Sequence, residues 1–574
     1  MNIEMLINRN NRIVKSNLEK IKLVNFTNEY AARTLFLEEN TFKAFNELKE
    51  FVFKSKAIII DVKEGYRSPN EQQALFDATA KEKGIEYARS FVALPYASEH
   101  NAGLAVDYVI KQKDKYNENI HDYYSLKETK FINENAHEFG FILRYQKDKT
   151  SVTYTEYKPW HLRYVGKQLA TKLYMNNLAL EENYNDYQLF LDNAILGFDE
   201  FNEKIAKLLK ISKKNNDLFR IREVKPLGKT NFGYDIRHFT AGIGEKDIVV
   251  SSTIHGCEII TLSFMLEYMY KIAKNDKSME ELLKQATMHF IPLYNPEGFI
   301  ITTSMTNKVL EGKSKEEITE ICKKYFIDYK KDDEIASKGL KSEKLHRNLF
   351  LNTTYNDIPD KHKELKENIK KLIENYNIPA SSLATWSSNG MGVDLNKNHP
   401  HNFDYYKKER EENPYDKTRY NDLNRSLPGP FGYIGNALNS NDSIENKHFL
   451  KFIDSIAKEK KLLGIYFYHS AGALIYIEDN LDIPRTKKSI KNTKDVGTIY
   501  SSETNYTLID KVSSMSLSGY LRCKYNDTVV LVPELSRIWA NPIGPYSDMC
   551  NYRWTIITNI KALTSSTYKM ISLK

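Results

Sequence analysis

The sequence predicts a two-module α/β protein. Its 574 residues exceed the roughly 100–200 residues of one domain, and the hydrophobic pattern turns polar and helical near residue 190. We expect an N-terminal α+β domain with a small antiparallel sheet at 1–190. At 195–574 we expect a doubly wound α/β domain with a mixed sheet. Charged amphipathic patterns predict a helical insertion in it at 305–385.

Local patterns support the N-terminal assignment. Apolar residues at helical spacing predict a helix at 36–55, and the apolar run at 57–62 predicts a buried strand. A second helix is expected at 70–83. Alternation of apolar and polar residues predicts a further strand at 151–157.

Short apolar runs, each followed by a helical pattern, support the C-terminal assignment. The predicted strands are 248–253, 288–294, 464–469 and 528–535. A helix is expected to begin near Glu258. Buried strands that alternate with helices favour a sheet covered on both faces.

Composition excludes several classes of protein. Hydrophobic residues make up 41% and charged residues 28%, which excludes wholesale disorder. No apolar run approaches the roughly 18–20 residues of a membrane span, so we expect no integral membrane segment. The net charge of +8 is small for this length, so we expect no nucleic-acid partner. The 4 cysteines lie far apart, which argues against a disulfide framework.

Three potential metal ligands occur in the N-terminal half. His100 and Asp107 lie in one short segment, and His161 follows further along the chain. Two imidazoles and a carboxylate suit Zn²⁺ and leave a fourth position for water. Isolated His and Asp residues are more often surface or hydrogen-bonded core residues, so this set alone leaves both interpretations open.

Four ordered motifs surround these residues. They are GYRSPNEQ at 65–72, SEHNAGLAVD at 98–107, GFILRY at 140–145 and KPWHLRYVG at 158–166. Together they resemble the zinc D-alanyl-D-alanine carboxypeptidases of the vancomycin-resistance type. The resemblance implies that the three residues above bind zinc and that Arg67 is catalytic, neutralising charge on the scissile carbonyl. The substrate-binding residues that it implies are Gln72 and Ser98.

One departure from this family affects catalysis. The family's final motif begins with a Glu that serves as general base, and Lys158 occupies that position here. A charged lysine cannot accept a proton. Glu156 lies two residues before Lys158 on the predicted strand. It would therefore be roughly 6–7 Å from the position of the family's base, which is a large distance for a group that must contact the zinc-bound water. We therefore expect this module to bind zinc and peptide with weak or no turnover.

A second set of potential ligands lies in the C-terminal half. His255 and Glu258 form an HxxE pattern where a predicted strand meets a helix, while His469 and Glu534 end two further strands. Because ligands of open α/β sheets sit at the carboxyl ends of strands, these residues are expected to converge. Two His and one Glu for zinc, with a second Glu for proton transfer, is typical of a hydrolytic zinc peptidase.

Further motifs accompany the HxxE pattern in order. They are LGKTNFGYDI, TIHGCE, NPEGF, GVDLNKN, GPFGYIG, FYHSAG and VPEL. Together they resemble the zinc carboxypeptidases of the carboxypeptidase A family, particularly the bacterial branch that cuts γ-D-glutamyl–diaminopimelate bonds. The resemblance implies that His255, Glu258 and His469 bind zinc and that Glu534 is the general base. The substrate-binding residues that it implies are Asn396, Lys397 and Tyr506.

This module also departs from its family. Lys397 replaces an arginine, which keeps the charge and loses the bidentate fork. Ser387 replaces the cationic residue that stabilises the oxyanion. Candidates for a substitute cation are Arg347, Arg425 and Arg537. The 94 residues between Gly298 and Val393 form an unusually long connection, which is either a peripheral decoration or a specificity element.

The sequence therefore predicts a zinc metallopeptidase with one Zn²⁺ site in each module, acting on bacterial peptidoglycan stem peptides. The C-terminal module is the expected catalyst, and the N-terminal module is expected to bind or weakly cleave D-Ala-terminated peptides. Two alternatives are a non-catalytic wall-binding protein with degenerate sites and a cytoplasmic peptidase of non-wall peptides. The N-terminus lacks the pattern of a secretory signal, so we expect a cytoplasmic protein or release to the cell wall without a classical signal.

Overall fold

A computed structural model of the chain gives two compact units. The described residues are 2–191, 196–314, 316–318, 320–321, 349–400, 402, 427–435, 443–459, 461–477, 485–510, 516–536 and 549–573. The N-terminal unit comprises Met1–Gln188 and Asn505–Thr507. The C-terminal unit comprises Leu189–Thr504 and Leu508–Lys574. None of the described helices is long and apolar enough to cross a bilayer.

The N-terminal unit combines short strands with helices. Its strands are β1 (Leu23–Phe26), β2 (Leu35–Glu38), β3 (Ile59–Glu64), β4 (Ala105–Gln112), β5 (Lys115–Tyr116), β6 (Phe141–Leu143) and β7 (His161–Tyr164). Its helices are Lys15–Leu18, Glu39–Lys56, Pro69–Lys83, Ile85–Phe91, Lys127–Asn135, Thr150–Thr153 and Lys167–Met175. The buried strand and the two helices expected in the first 83 residues are therefore present, with boundaries shifted by a few residues.

A small antiparallel sheet carries the N-terminal core. Its strands follow the order β3-β4-β7-β6, with β5 paired to β4, and every pairing is antiparallel. This confirms the α+β prediction. In the register of β4 and β7, Asp107 lies directly opposite His161. Paired residues project to the same face of a sheet, so this register places the two side chains side by side.

The strand predicted at 151–157 is wrong. A short helix occupies Thr150–Thr153, and Tyr154 ends it in the left-handed conformation with φ 55°. The Thr153 hydroxyl donates to the Lys149 carbonyl oxygen at 3.1 Å, a local bond that competes with a sheet ladder. Glu156 is exposed, so it does not approach the centre as a strand residue would.

The C-terminal unit contains longer, more deeply buried elements. Its strands are β8 (Arg222–Val224), β9 (His238–Ala241), β10 (Lys246–Ser252), β11 (Ala286–Ile291), β12 (Leu462–Ser470), β13 (Leu474–Tyr476), β14 (Thr507–Ile509) and β15 (Val529–Leu535). Its helices are Phe198–Ser212, Ile259–Ala273, Glu280–Gln285, Pro296–Leu310, Lys363–Tyr376, Ile444–Lys458, Lys487–Thr504, Leu517–Lys524 and Met549–Ile571.

The large sheet is mixed, and eight of its strands fall in the described part of the chain. Its order is β14-β13-β15-β12-β10-β11-β9-β8. The four central strands β15, β12, β10 and β11 are parallel, and antiparallel strands lie on both sides. The four strands that the sequence predicts are these central ones. Their carboxyl ends therefore meet at one edge of the sheet.

Side chains from both faces of the large sheet are buried. Val249 and Ile465 pack in one core with Phe449 of the helix Ile444–Lys458. On the other face, the Tyr466 hydroxyl lies 2.8 Å from Ser566 Oγ in the helix Met549–Ile571. Burial of each aliphatic side chain contributes about 1.5–3 kcal/mol. Helices on both faces confirm the doubly wound prediction.

The predicted insertion is described only in part. The helix Lys363–Tyr376 is present, and it buries Leu365 and Ile369 while its charged residues face outward. Residues 322–348 lie outside the described part of the chain.

A close approach of two glycines holds the loop after β10 in place. A Cβ atom on Gly256 would lie 2.1 Å from the carbonyl carbon of Gly298, in the helix Pro296–Leu310. We expect Gly256→Ala to destabilise the C-terminal unit by about 1–3 kcal/mol, because the backbone must move apart. Thermal denaturation measures this. Gly429→Ala, whose Cβ would meet no atom closer than 3.9 Å, is the control, and equal stability of the two variants would contradict the expectation.

Candidate functional site

The large sheet brings three side chains that could ligate a metal together at the carboxyl edge of its central strands. His255 follows β10, Glu258 precedes the helix Ile259–Ala273, and His469 lies near the end of β12. Each offers a ligand atom within 4.8 Å of the others, and all three residues are buried. We call this cluster the second centre.

Hydrogen bonds orient the His255 ring within the second centre. Its Nδ1 lies 2.8 Å from Glu258 Oε1, and its Nε2 lies 3.2 Å from Asp394 Oδ1. His469 Nδ1 lies 3.1 Å from Glu258 Oε2. A carboxylate behind a histidine fixes its tautomer and raises its basicity toward a metal. Asp394 therefore supports the ligand His255 from behind.

Sequence reasoning missed Asp394. It lies in the motif GVDLNKN, where only the Asn and Lys were assigned roles. Its carboxylate accepts hydrogen bonds from the backbone amides of Asn396 at 3.0 Å and Gly432 at 3.1 Å. Burial alone raises the pKa of Asp394, and the combined effect of His255, Lys397 and these hydrogen bonds exceeds it, so the pKa is lowered. The carboxylate is thus held in its charged form.

Glu534 lies beside the second centre. It is paired in register with His469 across β15 and β12, so both side chains project to the same face. Burial raises the pKa of Glu534 well above its ordinary value, and the carboxylate of Glu258 adds to this rise while His255 opposes it. A carboxyl group with a raised pKa is suited to accept and return a proton near neutral pH.

Chemically, the second centre fits zinc. Two imidazoles and a carboxylate are a common donor set of catalytic zinc sites, which leave a position open. The carboxylates of Glu258 and Asp394 lie near these imidazoles, and burying both would cost free energy unless a positive charge lay among them. His255, Glu258 and His469 are therefore the residues that would hold the ion.

The predicted substrate residues of this unit are placed differently from one another. The side-chain oxygen of Asn396 is buried and has no hydrogen-bond partner in the described structure. Only the amide nitrogen of this side chain could donate to a carboxylate. The charge of Lys397 acts on Asp394, which places it near the centre. Tyr506 is buried, and it lies in the segment Asn505–Thr507 that groups with the N-terminal unit.

Ser387 lies at the second centre, at the position where the family has a cationic residue. No substitute for that cation is identified among the described residues. The Oγ of Ser387 lies 3.4 Å from the Sγ atom of Cys257, which is located between His255 and Glu258 in the sequence. Its backbone amide donates to the Pro430 carbonyl oxygen at 2.8 Å. The proposed cations Arg347, Arg425 and Arg537 lie outside the described residues.

A first centre lies on the small sheet of the N-terminal unit. His100, Asp107 and His161 offer ligand atoms within 4.8 Å of one another. His100 Nδ1 lies 2.6 Å from the Gly65 carbonyl oxygen, which leaves Nε2 facing Asp107. Because the Nδ1 proton is donated to that carbonyl, Nε2 carries the lone pair that a metal needs. This donor set also fits zinc.

Glu99 supports the first centre and was missed from the sequence. One of its oxygens accepts from Arg144 Nε at 2.7 Å, and the other lies 3.5 Å from His161 Nε2. Burial acts to raise the pKa of Glu99, but Arg144, His161 and Arg163 together lower it to about 2. The adjacent position in SEHNAGLAVD was the available signal, since a carboxylate beside a ligand often orients another ligand.

Gln72 positions Arg67 in the first centre. Its side-chain oxygen accepts from Arg67 Nη1 at 2.9 Å, and its side-chain amide donates to the Ala93 carbonyl oxygen at 2.7 Å. Both ends of this buried amide are therefore engaged within the protein. Ser98, also buried, immediately precedes the segment that carries His100. The substrate roles expected for Gln72 and Ser98 stay predictions.

Lys158 lies at the first centre, as its alignment with the family glutamate requires. Its ammonium donates to the Phe91 carbonyl oxygen and lies 5.0 Å from the centroid of the Tyr145 ring. Burial lowers the pKa of Lys158 to about 8; Asp107 and Glu99 oppose this shift, and Arg67 adds to it. Among the described residues, Lys158 and not a carboxylate occupies the family's general-base position.

The link between Asp394 and His255 is testable. Asp394→Asn keeps the side-chain shape and removes its charge, so we expect zinc affinity at the second centre to fall by about 10-fold or more. Chelator competition measures the affinity. Asp247→Asn is the matched control, because Asp247 accepts from His289 outside the centre. Equal zinc affinity in the Asp394→Asn variant and the control would contradict this role.

The fold and the two centres define a zinc metallopeptidase. The profile of the family described as zinc carboxypeptidase matches residues 201–514. The profile of the VanY family, described as D-alanyl-D-alanine carboxypeptidase, matches residues 34–167. The chain belongs to the zinc carboxypeptidase family, and its N-terminal unit belongs to the D-alanyl-D-alanine carboxypeptidases. It is a metallocarboxypeptidase, and both families are zinc-dependent.

Curated relatives match the N-terminal unit. The bifunctional D-Ala-D-Ala dipeptidase and D-Ala-D-Ala carboxypeptidase VanXYC of Enterococcus gallinarum is 34% identical over 188 residues, covering 33% of this chain and 95% of that protein. A D-alanyl-D-alanine carboxypeptidase of Enterococcus faecalis is 40% identical over 133 residues, covering 22% of this chain and 47% of that protein. The chain thus spans nearly all of the first relative and under half of the second.

Solved structures also match this unit. A VanY D,D-pentapeptidase variant from a VanB-type cassette, in complex with Zn(II), is 29% identical with a TM-score of 0.28, covering 32% of this chain and 100% of that chain. VanYB in complex with D-alanine-D-alanine is 30% identical with a TM-score of 0.27, covering 32% of this chain and 98% of that chain.

Proposed function

We propose that the protein is a two-zinc peptidase of bacterial peptidoglycan stem peptides. The C-terminal unit hydrolyses an amide bond near a free carboxylate, and the N-terminal unit binds or weakly cleaves peptides that end in D-alanine. The observation that carries the proposal is the convergence of His255, Glu258 and His469 beside Glu534, which lies in register with His469. The substrate class is supported by the D-Ala-D-Ala named for VanXYC and VanYB.

The residues of the second centre supply the steps of an amide hydrolysis. A zinc ion, when bound, supplies Lewis-acid chemistry that polarises a carbonyl and makes water more acidic. Glu534 takes a proton from the attacking water and returns it to the leaving amine. Asn396 and Lys397 hold the substrate carboxylate, the first by hydrogen bonding and the second by charge. Ser387 offers a hydroxyl and no charge.

A non-catalytic, wall-binding protein is the second candidate function. Lys158 in place of the family glutamate favours it for the N-terminal unit, and the complete set at the second centre opposes it for the whole chain. Digestion of purified muropeptides followed by mass spectrometry separates the two functions. The same experiment run on non-wall peptides tests a cytoplasmic peptidase.

We expect Glu534→Gln to abolish most hydrolysis by the second centre. Loss of a general base lowers the rate by about 100- to 10,000-fold. Muropeptide products quantified by mass spectrometry measure this loss. Glu459→Gln, at an exposed helix end, is the control and keeps full activity. Undiminished hydrolysis by Glu534→Gln with zinc retained would contradict the assignment.

We expect Lys158→Glu to restore D-alanine release at the first centre. The substitution supplies the carboxylate that general-base catalysis requires. The full chain carrying Glu534→Gln provides the background, so that only the first centre can act. Released D-alanine is measured, with an increase of at least about 10-fold expected. An ordinary rate without the substitution, and no gain with it, would contradict the inactivity of this centre.

A further inference from the structure

The ammonium of Lys158 lies against neutral groups. It donates a hydrogen bond to the Phe91 carbonyl oxygen, and the Tyr145 ring covers one side of it. Among the described residues, no carboxylate oxygen lies within 4.0 Å of this group. A partly buried cation without an anion is costly, so this position favours an anionic ligand.

Arg67 is a second cation beside Lys158. Their charges interact, and the same short segment of chain anchors both groups. Lys158 donates to the Phe91 carbonyl oxygen, while Gln72, which holds Arg67, donates to the carbonyl oxygen of Ala93 two residues later. Arg67 also forms an ion pair with Glu64, whose Oε2 lies 3.5 Å from Arg67 Nη2, whereas Lys158 has no such partner among the described residues. The two cations are therefore fixed near each other by one structural element.

The exchange of glutamate for lysine changes the charge of the pocket. With lysine at position 158 the pocket is two unit charges more positive than with a carboxylate there. Asp107 is engaged with His100 and His161, and its charge attracts Lys158 only from beyond 4.0 Å. The substitution thus removes a proton acceptor and at the same time adds a binding site for negative charge.

We propose that Lys158 and Arg67 form a carboxylate-binding pair, through which the first centre retains peptides with a free C-terminal carboxylate without cleaving them. The peptide class rests on the proposed function. In this account Lys158 is a ligand-binding residue acquired at the position of the lost base. The N-terminal unit then acts as a receptor for the peptides that the second centre processes.

The hydrogen bond from Lys158 to the Phe91 carbonyl oxygen could also stabilise the fold. The experiment must therefore separate a purely structural role from ligand binding. Lys158→Met keeps the length of the side chain and removes its charge, whereas Lys158→Arg keeps the charge. A structural tie would affect stability and every ligand alike. A carboxylate-binding role affects only ligands that carry the carboxylate.

The experiment is calorimetric titration of the zinc-loaded full chain carrying Glu534→Gln. The probes are diacetyl-L-lysyl-D-alanyl-D-alanine and its C-terminal amide. We expect the acid to bind intact, Lys158→Met to weaken it by about 10-fold, and Lys158→Arg to keep affinity within about 3-fold, as expected for one ion pair near a protein surface. The amide is expected to bind weakly and equally to all three proteins. Binding to the second centre contributes equally in all variants. Differences in affinity between the variants therefore report on the first centre.

Several results would overturn the proposal. They are equal affinity of Lys158→Met for the acid, equal losses for acid and amide with a lower unfolding temperature, and D-alanine release at an ordinary rate with Lys158 in place. Lys158→Gln replaces Lys158→Met if the latter does not fold. Muropeptide hydrolysis by the unmodified second centre is measured separately, so failure of the proposed function is distinguishable from failure of this binding pair.

Discussion

The burial of charged side chains at the carboxyl edge of the large sheet is the constraint on which the rest of the structure depends. Glu258 and Asp394, both buried, lie close to the imidazole of His255, and the partly buried Glu534 lies in register with His469. Taking each ion out of water costs several kcal/mol, which only nearby opposite charge offsets. Burial acts to lower the pKa of His255, yet Glu258 and Asp394 raise it well above its ordinary value. These charges favour a cation at the second centre. Because His255 must be deprotonated to bind a metal, zinc binding there is expected to release protons.

The sequence predicted the parts of this arrangement that depend on local pattern. Short apolar runs identified the central strands, and the residues that follow them, His255, His469 and Glu534, fell at one edge because parallel strands share their ends. Asp394 escaped prediction because its partner lies 139 residues away in the chain. The wrong strand prediction at 151–157 has a local cause instead. A threonine hydroxyl there forms a hydrogen bond with a nearby backbone carbonyl, which favours a turn over the strand that the alternating pattern predicts.

Similar donor sets at the two centres support different chemistry. At the second centre a carboxylate, Glu534, lies beside the ligands and has a raised pKa, as proton transfer requires. At the first centre the corresponding group is an ammonium, and the supporting carboxylate Glu99 is held charged by arginines with its pKa at about 2. The proposed division of labour into receptor and hydrolase follows from this contrast. Covalent linkage of the two units gives local concentrations on the order of mM for short linkers.

The most direct test is anomalous diffraction at the zinc edge from crystals of the zinc-loaded protein. We expect a peak bounded by His255, Glu258 and His469, within about 2.0–2.2 Å of the ligand nitrogens and oxygens, with the Glu534 side chain turned toward it. A second peak is predicted among His100, Asp107 and His161. Absence of density among His255, Glu258 and His469, or a Glu534 side chain directed away from it into solvent, would contradict the central claim.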